Sequence, residues 1–422
     1  MAIKEMDGRS DIFIPTYNRS DLPLVRVAGQ LARLRDGSRG LLITNSQEFY
    51  SLCGGFLNVK EFGARGNGSI DDTQSFQNAI NAAIDGDTIF IPNGNYRIIG
   101  SLIIENKRGM RILGSGSSYS VGTKLIWQGN ASNPLMRVLG SRDCAFDGFC
   151  ISSSSAFPLH TAIQMETRLG STITGNRLSN IQIDGTHRGG LLWGIRFIAG
   201  SGGDNNNDFH LLDRVCVANY GMSGLSIEHS QSVSHTLLHC GFSANKIGLA
   251  GIRTDRGTGA QGGSFSFING GIGGHLVSDF AIGDPGRVIY IIGADSENSE
   301  RFLITTGPSG SPNPIHIIGS RFSSNNIHVD GNMIIYRFSG QLVLESNIFG
   351  GGNNPIPKIL LEGSDIIPRY STISNNIFNS YNSSSIDPVV TSGGQGKFYV
   401  KRSNNIYLDS SGIIVHTPYD GI

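Results

Sequence analysis

Acidic side chains recur along this chain in one setting: a β-branched residue or leucine, two further positions, then a carboxylate. The pattern covers Ile181 to Asp184, Leu225 to Glu228, Ile252 to Asp255, Ile327 to Asp330, Leu342 to Glu345 and Ile359 to Glu362. Most such acids decorate strand ends, where a carboxylate stays hydrated or accepts turn N–H groups. Two stand apart because their surroundings align without a gap: GLSIE at 224–228 and GIRTD at 251–255, which lie at an offset of 27. If that offset is one turn of a stacked-strand coil, Glu228 and Asp255 project from neighbouring strands about 5 Å apart. Cleavage of a glycosidic bond uses two flanking carboxyl groups, about 5 Å apart for retention and roughly 6.5–9.5 Å for inversion. Glu228 and Asp255 are therefore expected to serve as acid and base, or as acid and nucleophile. His229 and Arg253 beside them would tune the carboxyls and bind substrate. On this reading Glu228→Gln leaves the melting of the fold nearly unchanged.

A second acidic group, Asp295, Glu297 and Glu300, packs three carboxylates into six positions. Crowding of like charges can raise one carboxyl pKa and make a general acid, although Arg301 alongside fits a turn ion pair equally well. Trp193, one of two tryptophans, is a candidate sugar-stacking face, with burial in a core as the equal alternative. Asp204 and Asp208 give weak support for Ca²⁺, since their spacing is not that of an EF-hand loop. His229, His235 and His239 lack a partner Cys or acid at ligand spacing, so no metal site is expected.

These groups need a scaffold that repeats. From Asp85 onward, short Ile, Val, Leu and Phe runs alternate with Gly, Asn and Ser turns, irregularly but with the short period of a stacked-repeat fold. The RFSSN run at 321–325 echoes GFSAN at 241–245, 80 positions away, which fits three turns of a coil. Asn347-Ile348-Phe349, Asn376-Ile377-Phe378 and Asn405-Ile406-Tyr407 follow at steps of 29. Asparagine repeating beside an apolar pair predicts stacked amide ladders over a stacked core. About a dozen rungs are expected between 85 and 410, with Cys216 and Cys240 stacking as interior neighbours.

The entry to this repeat lies at 56–91. Asp71, Asp72 and Thr73 supply cap oxygens for a helix whose apolar face is Phe76, Ala79, Ile80 and Ala83. That stripe must cover something hydrophobic, and the open end of a coil is the natural partner. The segment NVKEFGA at 58–64, followed by GNGSIDDT at 66–73, resembles the opening motif of the pectate-lyase-like superfamily of rhamnogalacturonase and epimerase-like proteins and phage tailspike depolymerases. The resemblance implies an all-β fold: a right-handed single-stranded parallel β-helix with an N-terminal capping helix. It is specific over the entry segment and speaks to reaction weakly. The polygalacturonase acid series and the Arg-x-Pro-x-x-Arg run of calcium-dependent pectate lyases are both missing, so pectin is not implied.

Residues 1–55 read as a small N-terminal β module for attachment or capping, with Asp36-Gly37 between two β-like runs. Residues 56–396 form the β-helix and 397–422 a C-terminal cap or tail. The resemblance implies a homotrimer, with a phage tail or baseplate protein as partner of the N-terminal module.

Composition narrows the partners. Lys plus Arg and Asp plus Glu are 33 each, so there is no basic field for nucleic acid or anionic lipid. Polysaccharide is the expected ligand, with no cofactor. Five cysteines at 53, 144, 150, 216 and 240 make neither a disulfide framework nor a zinc signature. The N-terminal residues lack a signal-peptide pattern, and no apolar run reaches bilayer length. A virion or extracellular location, reached by lysis, fits both observations. The expected function is a polysaccharide depolymerase acting by hydrolysis or β-elimination. A non-catalytic glycan-binding adhesin and an exopolysaccharide lyase or epimerase are the alternatives.

Overall fold

The computed structural model describes residues 55–409 except 119, 169, 188–191, 200–205, 230, 252–260, 286, 307–311, 352–357, 363–368, 380–388 and 393–397. It also describes residue 414 and the backbone of six strands before residue 55. From Phe56 onward nearly every strand pairs in parallel with the equivalent strand of the next turn, forming a β-solenoid. Each turn contributes strands to three faces. In one turn Ile289–Ile292 lies on the first face, Asp295–Glu297 on the second and Leu303–Thr305 on the third. The third face is an 11-stranded sheet from Leu102–Glu105 to Val389–Ser392.

A sharp corner joins the first two faces. Its leading residue is left-handed in turn after turn: Asn180 (φ 50°), Arg214 (φ 53°), His239 (φ 51°), Asn269 (φ 51°), Gly293 (φ 63°), Gly319 (φ 60°), Ser346 (φ 57°), Asn375 (φ 57°) and Asn404 (φ 54°). Glycine and asparagine enter that region at the lowest cost, which explains their recurrence in the sequence. The strands on either side alternate inward and outward. Leu237, Phe267, Ile291 and Ile317 face in, while Leu238, Ile268, Ile292 and Ile318 stand half-buried outside.

The repeats read from sequence match the register. Phe242 pairs with Ile272, Ile272 with Ser296, and Ser296 with Phe322, so Phe242 and Phe322 are three turns apart. Ile348, Ile377 and Ile406 align on consecutive turns. The expected asparagine ladder is present and buried. The Asn347 backbone N–H donates to Asn376 Oδ1 at 2.9 Å, and the Asn376 N–H donates to Asn405 Oδ1 at 3.1 Å. Each side-chain amide also donates across: Asn347 Nδ2 to Asn376 Oδ1, and Asn376 Nδ2 to Asn405 Oδ1, both at 3.0 Å. Beside this ladder Phe349, Phe378 and Tyr407 stack at 5.4 and 5.2 Å.

Three expectations need correction. Cys216 pairs with Gly241, one position away from Cys240, so strand alternation turns Cys216 outward while Cys240 stays buried. The strand Phe398–Ser403 pairs with Arg369–Ser374, which carries the coil past residue 396 to Tyr407. At the helix Thr73–Ala82, Asp72 does not cap with its side chain. It is buried and accepts the Arg65 and Gly66 N–H groups, at 2.6 and 3.1 Å, holding the Gly-rich turn instead. Asp71 accepts from the Thr73 N–H and hydroxyl at 3.0 and 2.6 Å.

The predicted apolar stripe, Phe76, Ala79, Ile80 and Ala83, is buried. Gln77 pairs with the edge strand beneath it, donating to the Ile103 carbonyl at 3.1 Å and accepting the Ile103 N–H at 2.9 Å. An otherwise unpaired sheet edge is thereby covered. Upstream, Ile3–Met6 pairs antiparallel with Arg9–Ile12, and Leu31–Leu34 pairs antiparallel with Leu41–Thr44; Asp36 and Gly37 lie outside the described residues.

Replacing Asn376 by Ala removes the acceptor of a buried Asn347 N–H and the side-chain bonds to Asn347, Asn405 and the Leu344 carbonyl. An unsatisfied buried donor costs about 1–3 kcal/mol. Urea unfolding of Asn376→Ala is expected to show at least that loss. Asn404→Gly, at an exposed corner whose left-handed backbone suits glycine, stays within about 0.5 kcal/mol of the parent.

Candidate functional site

On the second face two outward columns of residues run across five turns. One reads Gln182, Cys216, Gly241, Gly271, Asp295; the other Asp184, Ala218, Ser243, Gly273, Glu297. The three middle turns carry only Gly, Ala, Ser and one Cys, while the end turns carry long polar side chains. The result is a groove of about 620 Å³. Asp184 and Glu297 stand four turns apart, roughly 19 Å at the strand spacing, a span that takes several sugar rings. A side chain built at Gly271 would point into open space, with no heavy atom within 4 Å.

Asp295 and Glu297 come together as the sequence suggested. They lie two positions apart on one strand and face the same way, roughly 6.6 Å apart along the backbone. Arg321, on the next turn, donates Nε to Asp295 and Nη2 to Glu297, each at 2.6 Å. All three side chains are about half exposed. Their attraction raises the Arg321 pKa, the hydrogen bond to Asp295 acting first. Glu300 lies beyond the strand; Arg301 pairs instead with Asp330, at 2.9 Å. Asp184 holds the opposite end of the groove and accepts from Asn219 Nδ2 and the Thr186 N–H, both at 2.9 Å.

Glu228, His229 and Trp193 gather elsewhere, on the third face. Glu228 sits in a closed ion pair: Arg196 Nε and Nη2 donate to its two oxygens at 2.9 and 2.6 Å, and Ser226 donates at 2.6 Å. Its side chain is 3 % exposed. Trp193 is buried, with the Arg196 guanidinium 3.9 Å from its ring centroid and His160 at 5.0 Å, so the exposed-indole alternative is corrected. His229 is buried as well. The turn offset here is 24, not 27, because Leu225 pairs with Leu249. Asp255 and Arg253 lie outside the described residues.

The neighbouring turns continue the ionic band: Arg137 is bidentate to Glu166 at 2.8 and 2.9 Å, and Gln164 donates to Glu166 at 3.0 Å. Sequence reading passed over Arg137, Gln164 and Arg196, although their spacing of one turn was visible. Doubly bonded, buried carboxylates of this kind anchor a surface; they are poorly placed to exchange protons with substrate.

Two sets of buried titratable groups lie inside the coil. Asp279 accepts hydrogen bonds from Ser296 and Ser299 and stands 3.9 Å from His275 Nε2. Burial pushes its carboxyl up to about 7, against the pull of the two serines. His210 and His235 stack at 5.2 Å, and burial pushes His210 down to about 3 and His235 well below the usual range. Ring nitrogens of both accept backbone N–H groups of the preceding turn, Asn176 to His210 and His210 to His235, each at 3.2 Å. These groups are walled off from any substrate.

Among the described residues no cluster of three or more His, Cys, Asp or Glu is arranged to hold a metal. Asp208 is buried, and Asp204 lies outside the described residues. No helix among the described residues is long and apolar enough to cross a membrane.

Comparison with known proteins agrees with the fold. Residues 56–131 match the family model described as rhamnogalacturonase A/epimerase, pectate lyase-like. The chain carries the pectate-lyase-like β-helix fold. The chain is 42% identical to alginate lyase 7 of Azotobacter vinelandii over 73 residues, 15% of this chain and 8% of that protein. The chain thus spans under a tenth of the curated relatives it matches. In three dimensions it resembles the gp42 tailspike of Acinetobacter phage vb_AbaP_AS12, with a TM-score of 0.58 and 13% identity over 97% of this chain and 77% of that one. PfbA, a surface adhesin of Streptococcus pneumoniae, superposes with a TM-score of 0.52 and 13% identity over 84% of this chain and 92% of that one.

The buried groups make three outcomes measurable. Breaking a buried ion pair by removing one partner costs about 3–5 kcal/mol, so Glu228→Gln is expected to lower thermal stability strongly, contrary to the expectation from sequence. For Asp279, whose folded pKa is raised, stability is fully present below the ordinary carboxyl range and lost as pH rises through about 7. Asp279→Asn should therefore melt several degrees above the parent at pH 8 and close to it at pH 4. His210 and His235 act with the opposite sign: their contribution is present above the ordinary histidine range and lost as pH falls, so both proteins should weaken in acid.

Proposed function

We propose that the chain is a tailspike-like polysaccharide depolymerase whose second-face groove binds a bacterial surface or extracellular glycan. The observation that carries this reading is the groove itself, a floor of small residues bounded at its ends by Asp184 and by Asp295 with Glu297. Asp295 and Glu297 are the proposed acid and base, the pair of carboxyl groups that glycosidic cleavage uses. Arg321 bonds one oxygen of each, Asp295 Oδ1 and Glu297 Oε1, and the other oxygen of each is left to meet the substrate. That same engagement favours a second reading, a glycan-binding spike without catalysis, in which Asp295, Glu297 and Arg321 only contact sugar hydroxyls. Glu228 ranks behind them because both its oxygens are already bonded.

The wider assignment rests on the resemblance. Residues 1–55 would attach the protein to a phage tail or baseplate, placing it on a virion or otherwise outside the cell. The outward column Leu238, Ile268, Ile292 and Ile318 supports a homotrimer, since an in-register apolar strip of this kind is suited to burial between copies.

The test is incubation with a panel of capsules and O-antigens, followed by sizing of the products and ultraviolet absorbance for unsaturated sugars. Shortened chains without new absorbance indicate hydrolysis, and shortened chains with it indicate β-elimination. Asp295→Asn and Glu297→Gln are expected to slow cleavage by about 100-fold or more with melting unchanged, and Gly271→Trp to abolish binding. Binding without shortening supports the spike, and binding to no glycan overturns both readings.

A further inference from the structure

A second cavity, about 740 Å³, opens where the second face turns into the third. Gly274 and Asn298 line both it and the groove, so the two hollows adjoin at the corner. The second cavity differs in chemistry from the first. Asn325 and Asn326 are exposed on one side, and Leu276 and Val329 stand 50% and 91% exposed on its rim, with Ile327 forming the apolar base. Neither Lys nor Arg lines either hollow among the described residues. Arg321, beside the groove, is shared between Asp295 and Glu297, and Arg301, near the second cavity, is bidentate to Asp330 at 2.9 and 3.0 Å.

We infer that this second cavity is a subsite for an acetamido sugar, and that the two adjoining hollows take a glycan containing N-acetylated rather than uronic acid residues. The inference rests on the groove being the glycan site. A polyuronate brings a carboxylate on each ring, which needs unengaged cations and here would meet Asp184, Asp295, Glu297 and Glu300 instead. An acetamido group brings an amide N–H, a carbonyl and a methyl. Carboxamide side chains match the first two and an apolar rim matches the third, which is the usual division of labour in a sugar pocket. The pocket lies next to the acids, so the residue bound there would be one or two rings from the bond under attack.

The experiment uses saturation-transfer NMR on the full chain with N-acetylglucosamine, glucose and glucuronate at equal concentration. Transfer to the acetamido methyl of N-acetylglucosamine is expected to exceed transfer to either other sugar several-fold, and to fall at least fivefold in the Asn325→Ala/Asn326→Ala double variant with melting unchanged. Equal transfer to all three, preference for glucuronate, no transfer at all, or transfer that survives the double variant overturns the subsite. Gly271→Trp separates the two readings. If it abolishes binding of a cleaved or captured polysaccharide while the asparagine variant changes nothing, the groove stands and the subsite fails. If polysaccharide binding survives Gly271→Trp, the groove reading itself fails.

Discussion

The structure depends on one recurring hydrogen bond: a backbone N–H at a corner of the coil donating to a side chain from the next turn. Strand pairing satisfies the flat stretches, but at a corner the chain bends away and its N–H would be left unpaired in the interior. Cys144 donates to Asn176 Oδ1 at 2.9 Å, Tyr220 to Asn245 Oδ1 at 2.9 Å, and Ser320 to Asn347 Oδ1 at 2.8 Å. Each acceptor sits in a column, so the bond that closes one corner also sets the register of the turn above. Asparagine suits the task because its amide also donates to a carbonyl, as Asn347 does to Ile317 at 2.9 Å. Histidine does it at His210, His235 and His275, and burial keeps the first two neutral.

Register in turn makes the groove. Because side chains two apart on a strand face the same way and each turn stacks on the last, a short side chain leaves a gap that its neighbours above and below either fill or extend. Gly241, Gly271 and Gly273 extend it. Asp295 and Glu297 end it, and their pairing with Arg321 is an exposed, rearrangeable contact of the kind that contributes little to stability. The third-face pairs are the opposite case. Arg196 and Glu228 are buried and doubly bonded, so the same residue types there contribute architecture.

Much of the scaffold was legible because it is written in local spacing. Asn347, Asn376 and Asn405 recur at equal steps, and they do form a ladder; Phe242 and Phe322 are separated by whole turns, and they do align. The helix stripe from Phe76 to Ala83 was readable from periodicity alone. Asp72 was not, because whether an acid at a helix start caps the helix or turns back to hold a Gly-rich loop depends on where Arg65 and Gly66 come to rest.

The candidate site was legible only in part, and the reason is the variable length of the turns. Adjacent acids on one strand, Asp295 and Glu297, needed no register to be found. Glu228 and Asp255 were linked by aligning GLSIE with GIRTD, and the shorter turn that pairs Leu225 with Leu249 breaks that alignment. By itself the sequence determined the repeating parallel coil, its corner residues and its buried ladders, since each follows from a short-range pattern. Only the tertiary structure decided which acids share a surface, which are bonded shut and where small residues line up into a groove, because those outcomes depend on residues summed across successive turns of unequal length.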